Sequence, residues 1–448
     1  MTALNAAIIF NNSTGSDTTA SGSSAGANVY GSGASTTSAS AVVTGITTSG
    51  VQAGDLLWVQ SSSGRQFSVI ASVDSGTQVT CDDTFANTES SRTWAIGGKR
   101  ATLAGSSRLF DDGSSGDGKA GHILELEDGH AESISSSLNL RVAGSTTEMF
   151  TIRGASGSTI KPKITVTANT SCFNLIASYN RIENIEIQNT FGNKTFATGF
   201  YANFTSPRSI QIVGVKMDDG TNYLQFGVYL SGSASGDIHI SNCSIGNCGN
   251  TGIYLRSCSG NQTVSGSQIF NCTGNGILQI INASSCLVSN SVLYGNSNGV
   301  AITDGKFHSQ GSIYYNNIND GVAYFGNDPF TLTDNVFVSN GAYGVDAGAS
   351  PSESMFFIDR NAFYGNGTAD FNGSLSQHTN SITLTADPFV DSAAADFNIA
   401  DNAGGGATLR ANNFSINTDT AVYPFRQYVS DNFGAGGGGA VLHPLRSN

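Results

Sequence analysis

Three aspartates, Asp304, Asp320 and Asp346, stand near a recurring glycine on successive repeats of this 448-residue chain. Glycoside hydrolysis needs two carboxylates facing each other at about 5–9.5 Å, so these three are the acids to consider for it. The competing reading makes them solvated turn residues. Tyr201, Tyr229 and Tyr254 form a second constellation, each two residues after a glycine (Gly199, Gly227, Gly252). That spacing predicts an exposed ladder on successive repeats. Sugars stack on such rings, an amphipathic tyrosine surface suits a subunit interface, and rings stacked on each other shield the sheet beneath them. Asp218-Asp219-Gly220 reads as a turn without the spacing of a calcium loop. His239, between Ile238 and Ile240, faces outward as a lone imidazole. No glycine-rich phosphate loop and no Ser/His/Asp constellation is present, and neither a cofactor nor a metal site is expected.

The elements that must hold these residues follow from one column of glycines. Gly227, Gly252, Gly276, Gly299, Gly321 and Gly344 recur at steps of 22 to 25 residues, each opening a short apolar run such as Gly252-Ile253-Tyr254-Leu255. A second column runs in phase upstream: Cys248, Cys272, Asn296, Asn317, Asn340 and Asn366. Near-constant periods of this size mark a solenoid. The repeat lacks Ala, Leu, Glu and Lys at helical spacing. It holds two β-like runs separated by Asn, Gly and Ser, which tolerate left-handed turns. Alternation then points Val228, Leu230, Ile253, Leu255, Val300 and Ile302 inward and Tyr229, Tyr254 and Ala301 outward. Such a chain winds as an all-β parallel β-helix, its coils about 4.8 Å apart.

Outside the repeat, residues 1–40 read as an N-terminal strand followed by a Ser/Thr/Gly-rich arm. Four runs within residues 41–98, separated by Gly-Asp and Ser-Gly turn signals, predict a small antiparallel β module holding Trp58 and Trp94. Residues 99–410 are assigned to the β-helix and 411–448 to a tail for capping or docking. The seven cysteines lack CxxC spacing, so Cys248 and Cys272 are expected as stacked buried thiols, not a bridge. Lys and Arg number 20 against 33 Asp and Glu, a formal charge of −13, which disfavours a nucleic-acid partner. No run approaches the ~20 apolar residues of a membrane span. Met1-Thr2-Ala3-Leu4-Asn5 lacks the basic start and apolar core of a secretory signal, from which a cleaved signal or a virion location is expected.

The repeat Ile-x-x-Asn…Asn…Gly-Ile-x-Leu, with Asp387-Pro388-Phe389-Val390-Asp391 and Asp396-Phe397 after it, resembles right-handed parallel β-helix proteins of the pectate-lyase-like superfamily. The opening Phe10-Asn11-Asn12-Ser13-Thr14-Gly15-Ser16-Asp17 is similar to the first strand of such proteins. The resemblance implies a right-handed solenoid over about residues 100–410, in a group that includes polysaccharide lyases and hydrolases, phage tailspikes and non-catalytic surface proteins. A lyase like the pectate enzymes would need clustered carboxylates for Ca²⁺ and an Arg or Lys base. Arg208, Lys216, Arg256, Lys306 and Arg360 are the basic residues between 199 and 370, and none is expected beside acids on one outward column. The leading expectation is a structural or adhesive phage virion protein (tailspike, fibre or capsid decoration) that binds other virion proteins and host surface glycan. A glycan depolymerase, or a secreted or cell-surface β-helix, are the alternatives. Resemblance implies a homotrimer, and Tyr423, Phe425, Tyr428, Phe433 and Leu442 are the tail residues suited to assembly.

Overall fold

The computed structural model describes residues 8–11, 29–62, 64–97, 101–103, 120–145, 147–155, 160–191, 197–204, 209–217, 224–232, 236–280, 285–348, 356–372 and 378–414. Among the described residues three parallel sheets run the length of a solenoid, and each complete coil contributes one strand to each. The first sheet has 12 strands, from β1 (Ile8–Asn11) to His378–Thr379. The second has 11, ending at Ile382–Thr383, and the third has 10, ending at Ala369–Asn372. Val228, Leu230, Ile253, Leu255, Val300 and Ile302 are all buried in one continuous core, as the alternation predicts.

One residue turns the chain from the first sheet to the second, and it must take a left-handed conformation on coil after coil. Asn184, Gly214, Asn242, Gly266, Asn290, Gly311, Asp334, Arg360 and Asn380 stack there with φ between 48° and 61°. Asn, Asp and Gly bear that conformation at least cost, which is why they recur. The glycine column has a different cause, because those glycines lack the positive φ. A Cβ on Gly227 or Gly252 would lie 2.8 Å from the carbonyl oxygen of the next glycine up, and on Gly276 or Gly299 only 2.5 Å. The coils touch backbone to backbone along this line, so no side chain fits.

The two ends of the chain are handled differently. β1 pairs in parallel with β8 (Ile123–Leu126), and a barrel is inserted between them. It closes in the order β2 (Val29–Thr36), β3 (Val42–Thr44), β6 (Gln78–Cys81), β5 (Gly64–Ser75), β4 (Leu56–Ser61), β7 (Glu89–Ile96). The barrel therefore starts at Val29, inside the stretch read from sequence as an arm. Its first strand is small in the middle, Gly31 to Ala34, where it crosses Trp94, whose ring lies 3.3 Å from where a Gly31 Cβ would be. Leu57, Val59, Trp94 and Ile96 fill the barrel. Leu56, Trp58, Phe67 and Ala95 point the other way and join the solenoid core with Leu103 and Leu124, so the barrel caps the first coil.

After the last coil, Phe389–Asp391 and Asp396–Ile399 pair antiparallel and lead to a short helix, Gly406–Ala411. This segment folds back over the outward face of the second sheet. Val292, Ile313, Val336 and Ala362 are buried there beneath Phe389, Phe397, Leu409 and Phe414. Among the described residues no helix is long and apolar enough to cross a membrane. The assembly residues Tyr423, Phe425, Tyr428, Phe433 and Leu442 lie outside the described residues.

Gly299→Ala is expected to cost about 1–3 kcal/mol, since its Cβ would press on the Gly321 carbonyl and the Tyr314 ring. Gly76→Ala, with nothing within 4 Å, is its matched control and should leave stability near that of the parent. Thermal melting of both variants decides, and equal melting would remove the close-approach explanation. A second test concerns acid. Glu89 accepts hydrogen bonds from the Ser62 N–H (2.8 Å), the Ser62 and Ser61 hydroxyls and Arg92, which pull its carboxyl down to about 2. A depressed carboxylate adds stability that is complete above its unfolded pKa of about 4.3 and is lost as pH falls towards 2. The melting difference between parent and Glu89→Gln should shrink across that window. A difference independent of pH would reject this role.

Candidate functional site

The outward column of the third sheet carries the tyrosines. Strand register stacks Asn139, Asn174, Tyr201, Tyr229, Tyr254, Leu278, Ala301, Ala323, Asp346 and Asn372, one above another. Tyr201 and Tyr229 stack with ring centroids 5.4 Å apart and planes 15° off parallel, and Tyr229 and Tyr254 at 4.7 Å and 9°. Phe226 sets its edge against Tyr229 and Tyr254 at 5.1 and 5.6 Å. Both faces of the Tyr229 ring are thus covered by its neighbours, and Phe226 lies crosswise against its edge. Burial, then the neighbouring Tyr229, raises the Tyr254 phenol above its ordinary pKa. A sugar that stacks flat on aromatic faces finds few free faces here. The same column ends in amide contacts, Asn174 Nδ2 to Asn139 Oδ1 at 3.0 Å and Asn372 Nδ2 to Asp346 Oδ1 at 3.0 Å.

Each candidate aspartate holds backbone. Asp320 is only 7% exposed, and its Oδ1 accepts the Tyr343 N–H at 3.0 Å. It continues a ladder in which Asn298 Oδ1 accepts the Asp320 N–H at 3.1 Å and Asn275 Oδ1 accepts Asn298 Nδ2 at 2.8 Å. Burial raises the Asp320 carboxyl above the usual range against the lowering effect of the Tyr343 N–H, and the charge of Asp346 adds to the rise. Asp346 Oδ1 accepts Gly348 N–H at 2.8 Å besides the Asn372 amide. Asp304 Oδ1 and Asp328 Oδ2 both accept the N–H of Gly305, at 3.1 and 3.0 Å. The register sets Asp320 level with Tyr343, at the start of the strand that Asp346 ends, and Asp304 follows the end of its own strand, beyond Ile302, beside Asp328.

The upstream column turns out to be a hydrogen-bonded ladder inside the coil. Asn296 Oδ1 accepts Cys272 N–H (3.0 Å), Asn317 Oδ1 accepts Asn296 N–H (3.1 Å), and Asn340 Oδ1 accepts Asn317 N–H (3.2 Å). Each Asn amide also donates to a carbonyl, as Asn317 Nδ2 does to Leu293 O at 3.1 Å. All seven cysteines are free and buried, so Cys248 and Cys272 are stacked thiols as expected. A second ladder, not recognised from sequence, links Ser267, Ser291, Ser312, Asn335 and Asn361 through side-chain oxygens to the preceding coil's N–H. The serine spacing was the available signal for it.

Basic residues do meet acids across coils, contrary to the sequence expectation. Arg360 Nε binds Asp334 Oδ1 at 2.8 Å because both occupy the left-handed turn column, and Lys216 Nζ lies 4.0 Å from Glu186. Arg208 and Asp218-Asp219-Gly220 lie outside the described residues. His239 faces outward between Gln211 and Thr263. Lys161, which sequence reasoning passed over, has Nζ 3.4 Å from Asn184 Oδ1, and burial pulls its ammonium down to about 8. It sits at the corner of the first two sheets, away from the tyrosine column. Among the described residues no three His, Cys, Asp or Glu side chains gather to hold a metal.

Residues 221–337 match the family model described as a right handed beta helix region. The chain is a right-handed parallel β-helix. No curated protein sequence matches it. Among solved structures, this β-helix is similar to a GH136 lacto-N-biosidase from Eubacterium ramulus, at 15% identity and TM-score 0.45, covering 63% of this chain and 64% of that one. The chain thus spans just under two thirds of that enzyme. A periplasmic alginate epimerase (12% identity, TM-score 0.36, 60% of this chain and 78% of that one) and a pectate lyase (12%, 0.38, 59% and 66%) are also similar.

Asn317→Ala would leave buried N–H and C=O groups of adjacent coils unpaired, at about 1–3 kcal/mol for each. Tyr229→Ala, on the surface of the same β-helix, removes two stacked pairs at about 0.2–1 kcal/mol each. Denaturant melts should therefore rank Asn317→Ala as clearly the more destabilised, and the reverse order would make the tyrosine column the principal brace.

Proposed function

We propose that this β-helix is a structural or adhesive protein that presents surface without turning over a substrate, carried on a virus particle as a trimer. The observation that supports it is the commitment of the candidate acids to backbone. Asp304, Asp320 and Asp346 each accept an N–H of a turn or neighbouring coil, and the tyrosine faces are occupied by one another. A cleavage site asks for side chains aimed at a substrate, whereas a scaffold asks for this pattern. The virion location and the trimer rest on the sequence resemblance. A secreted or cell-surface β-helix would use the same scaffold.

A second reading, glycan hydrolysis, draws on one pair. Asp320 is raised by burial and by Asp346, and two carboxylates with unlike environments are the usual basis for an acid and its partner. Incubating the full chain with neutral and uronate-rich polysaccharides separates the readings. No shortened oligosaccharide is expected. Product release by the parent that disappears in Asp320→Asn and Asp346→Asn would establish the hydrolase and end the scaffold proposal. Mass spectrometry of purified particles, with light scattering on the free chain, tests the virion and trimer assignments.

A further inference from the structure

The inserted barrel carries a cleft that neither the solenoid nor its ladders need. β5 is 12 residues long, but β6 has only four and pairs with β5 only over Ile70 to Ser75. Asp82 N–H still donates to Val69 O at 2.8 Å, and beyond it the chain leaves the sheet and stands off from Gln66 and Phe67. It is held there at both ends: Asp83 N–H donates to Ser68 Oγ at 3.0 Å, and Phe85 N–H donates to Ser40 O at 2.9 Å. The space between strand and loop is a cavity of about 220 Å³. Because Ser68 is buried and hydrogen-bonded to Asp83, and Phe85 is anchored in the barrel core, both walls are fixed before any ligand arrives.

The lining selects a chemistry. Gln66 supplies an amide donor and acceptor and Thr84 a hydroxyl, Asp83 adds a carboxylate that also holds the buried Ser68 hydroxyl, and the largely buried Phe67 and Phe85 rings give the floor its apolar carbon. Among the described residues no basic side chain lines the cleft, so none of them offers a phosphate or carboxylate a counter-charge. Ligand pockets usually hold about 300–1,000 Å³, so this one takes a single small ring and not a run of polymer. Mixed donors and acceptors around apolar carbon match the hydroxyls and C–H faces of a neutral sugar. We propose that the barrel cleft binds one uncharged pyranose-sized sugar residue, as a recognition site separate from the β-helix face.

Saturation-transfer NMR on the full chain tests this, with glucose, galactose, N-acetylglucosamine, glucuronate and tetramethylammonium as probes. Transfer to at least one neutral hexose and to neither charged probe is expected. Ala86→Phe, which fills the cleft from an exposed position, and Gln66→Ala should each weaken binding at least about tenfold with melting unchanged. Tyr229→Ala should leave binding as it is. Absence of transfer to every neutral sugar, equal transfer to a charged probe, or binding that survives Ala86→Phe would overturn the proposal. Loss of binding in Tyr229→Ala would overturn it too, by placing the sugar on the tyrosine column.

Discussion

Backbone groups buried in the turns of a solenoid have no strand partner, and the rest of this structure depends on how they are satisfied. An N–H left unpaired in the core costs about 1–3 kcal/mol, and the same turn recurs on every coil. Asn296, Asn317, Asn340 and Asn366 answer this at one corner, and Ser267, Ser291, Ser312, Asn335 and Asn361 at another. Each side chain accepts an N–H from the coil before it, so the bond that satisfies one coil also sets the height of the next. Where no side chain does this, along the glycine line, the coils approach until backbone meets backbone.

Stacking solves the interior of a solenoid but leaves problems at its ends and faces. The barrel answers the first at the N-terminal end, with strands buried on both sides: Leu57 and Val59 face its own core, Leu56 and Trp58 face the first coil. The C-terminal hairpin and helix answer a different one. They cover the apolar outer side of the second sheet, where Tyr294 and Tyr315 pack against Phe397 at 5.3 and 5.4 Å. The third sheet's outer column packs with neither of these segments, and over Tyr201, Tyr229 and Tyr254 it is protected by its own stacked rings. Polar residues that hold coils together are drawn into backbone contacts, so the scaffold and any chemistry on it compete for the same Asp and Asn side chains.

Much of this was legible in the chain, and the parts that were not share a cause. The glycine and asparagine columns are regular in sequence because each coil repeats one geometric demand, so the parallel β-helix, its inward residues and its stacked thiols could be read from spacing. That Tyr201, Tyr229 and Tyr254 stack on successive coils was legible too, but their role was not. A ring two residues after a glycine looks the same whether its face is free or covered by the next ring, and only the 4.7 and 5.4 Å separations decide.

What the sequence alone determined is therefore periodic: coil length, the left-handed turns, and which side of each strand is apolar. Tertiary structure decided whatever involves contact between segments without a shared period. Val29–Thr36 became a barrel strand because its small residues fit across Trp94, which lies some sixty positions later in the chain. Residues 389–414 settled on the second sheet because Val292, Ile313 and Val336 offer an outward apolar strip. Repeats write their contacts into spacing, since each coil meets a copy of itself. A unique contact between unlike segments leaves no periodic trace, so it emerges only when the chain is folded.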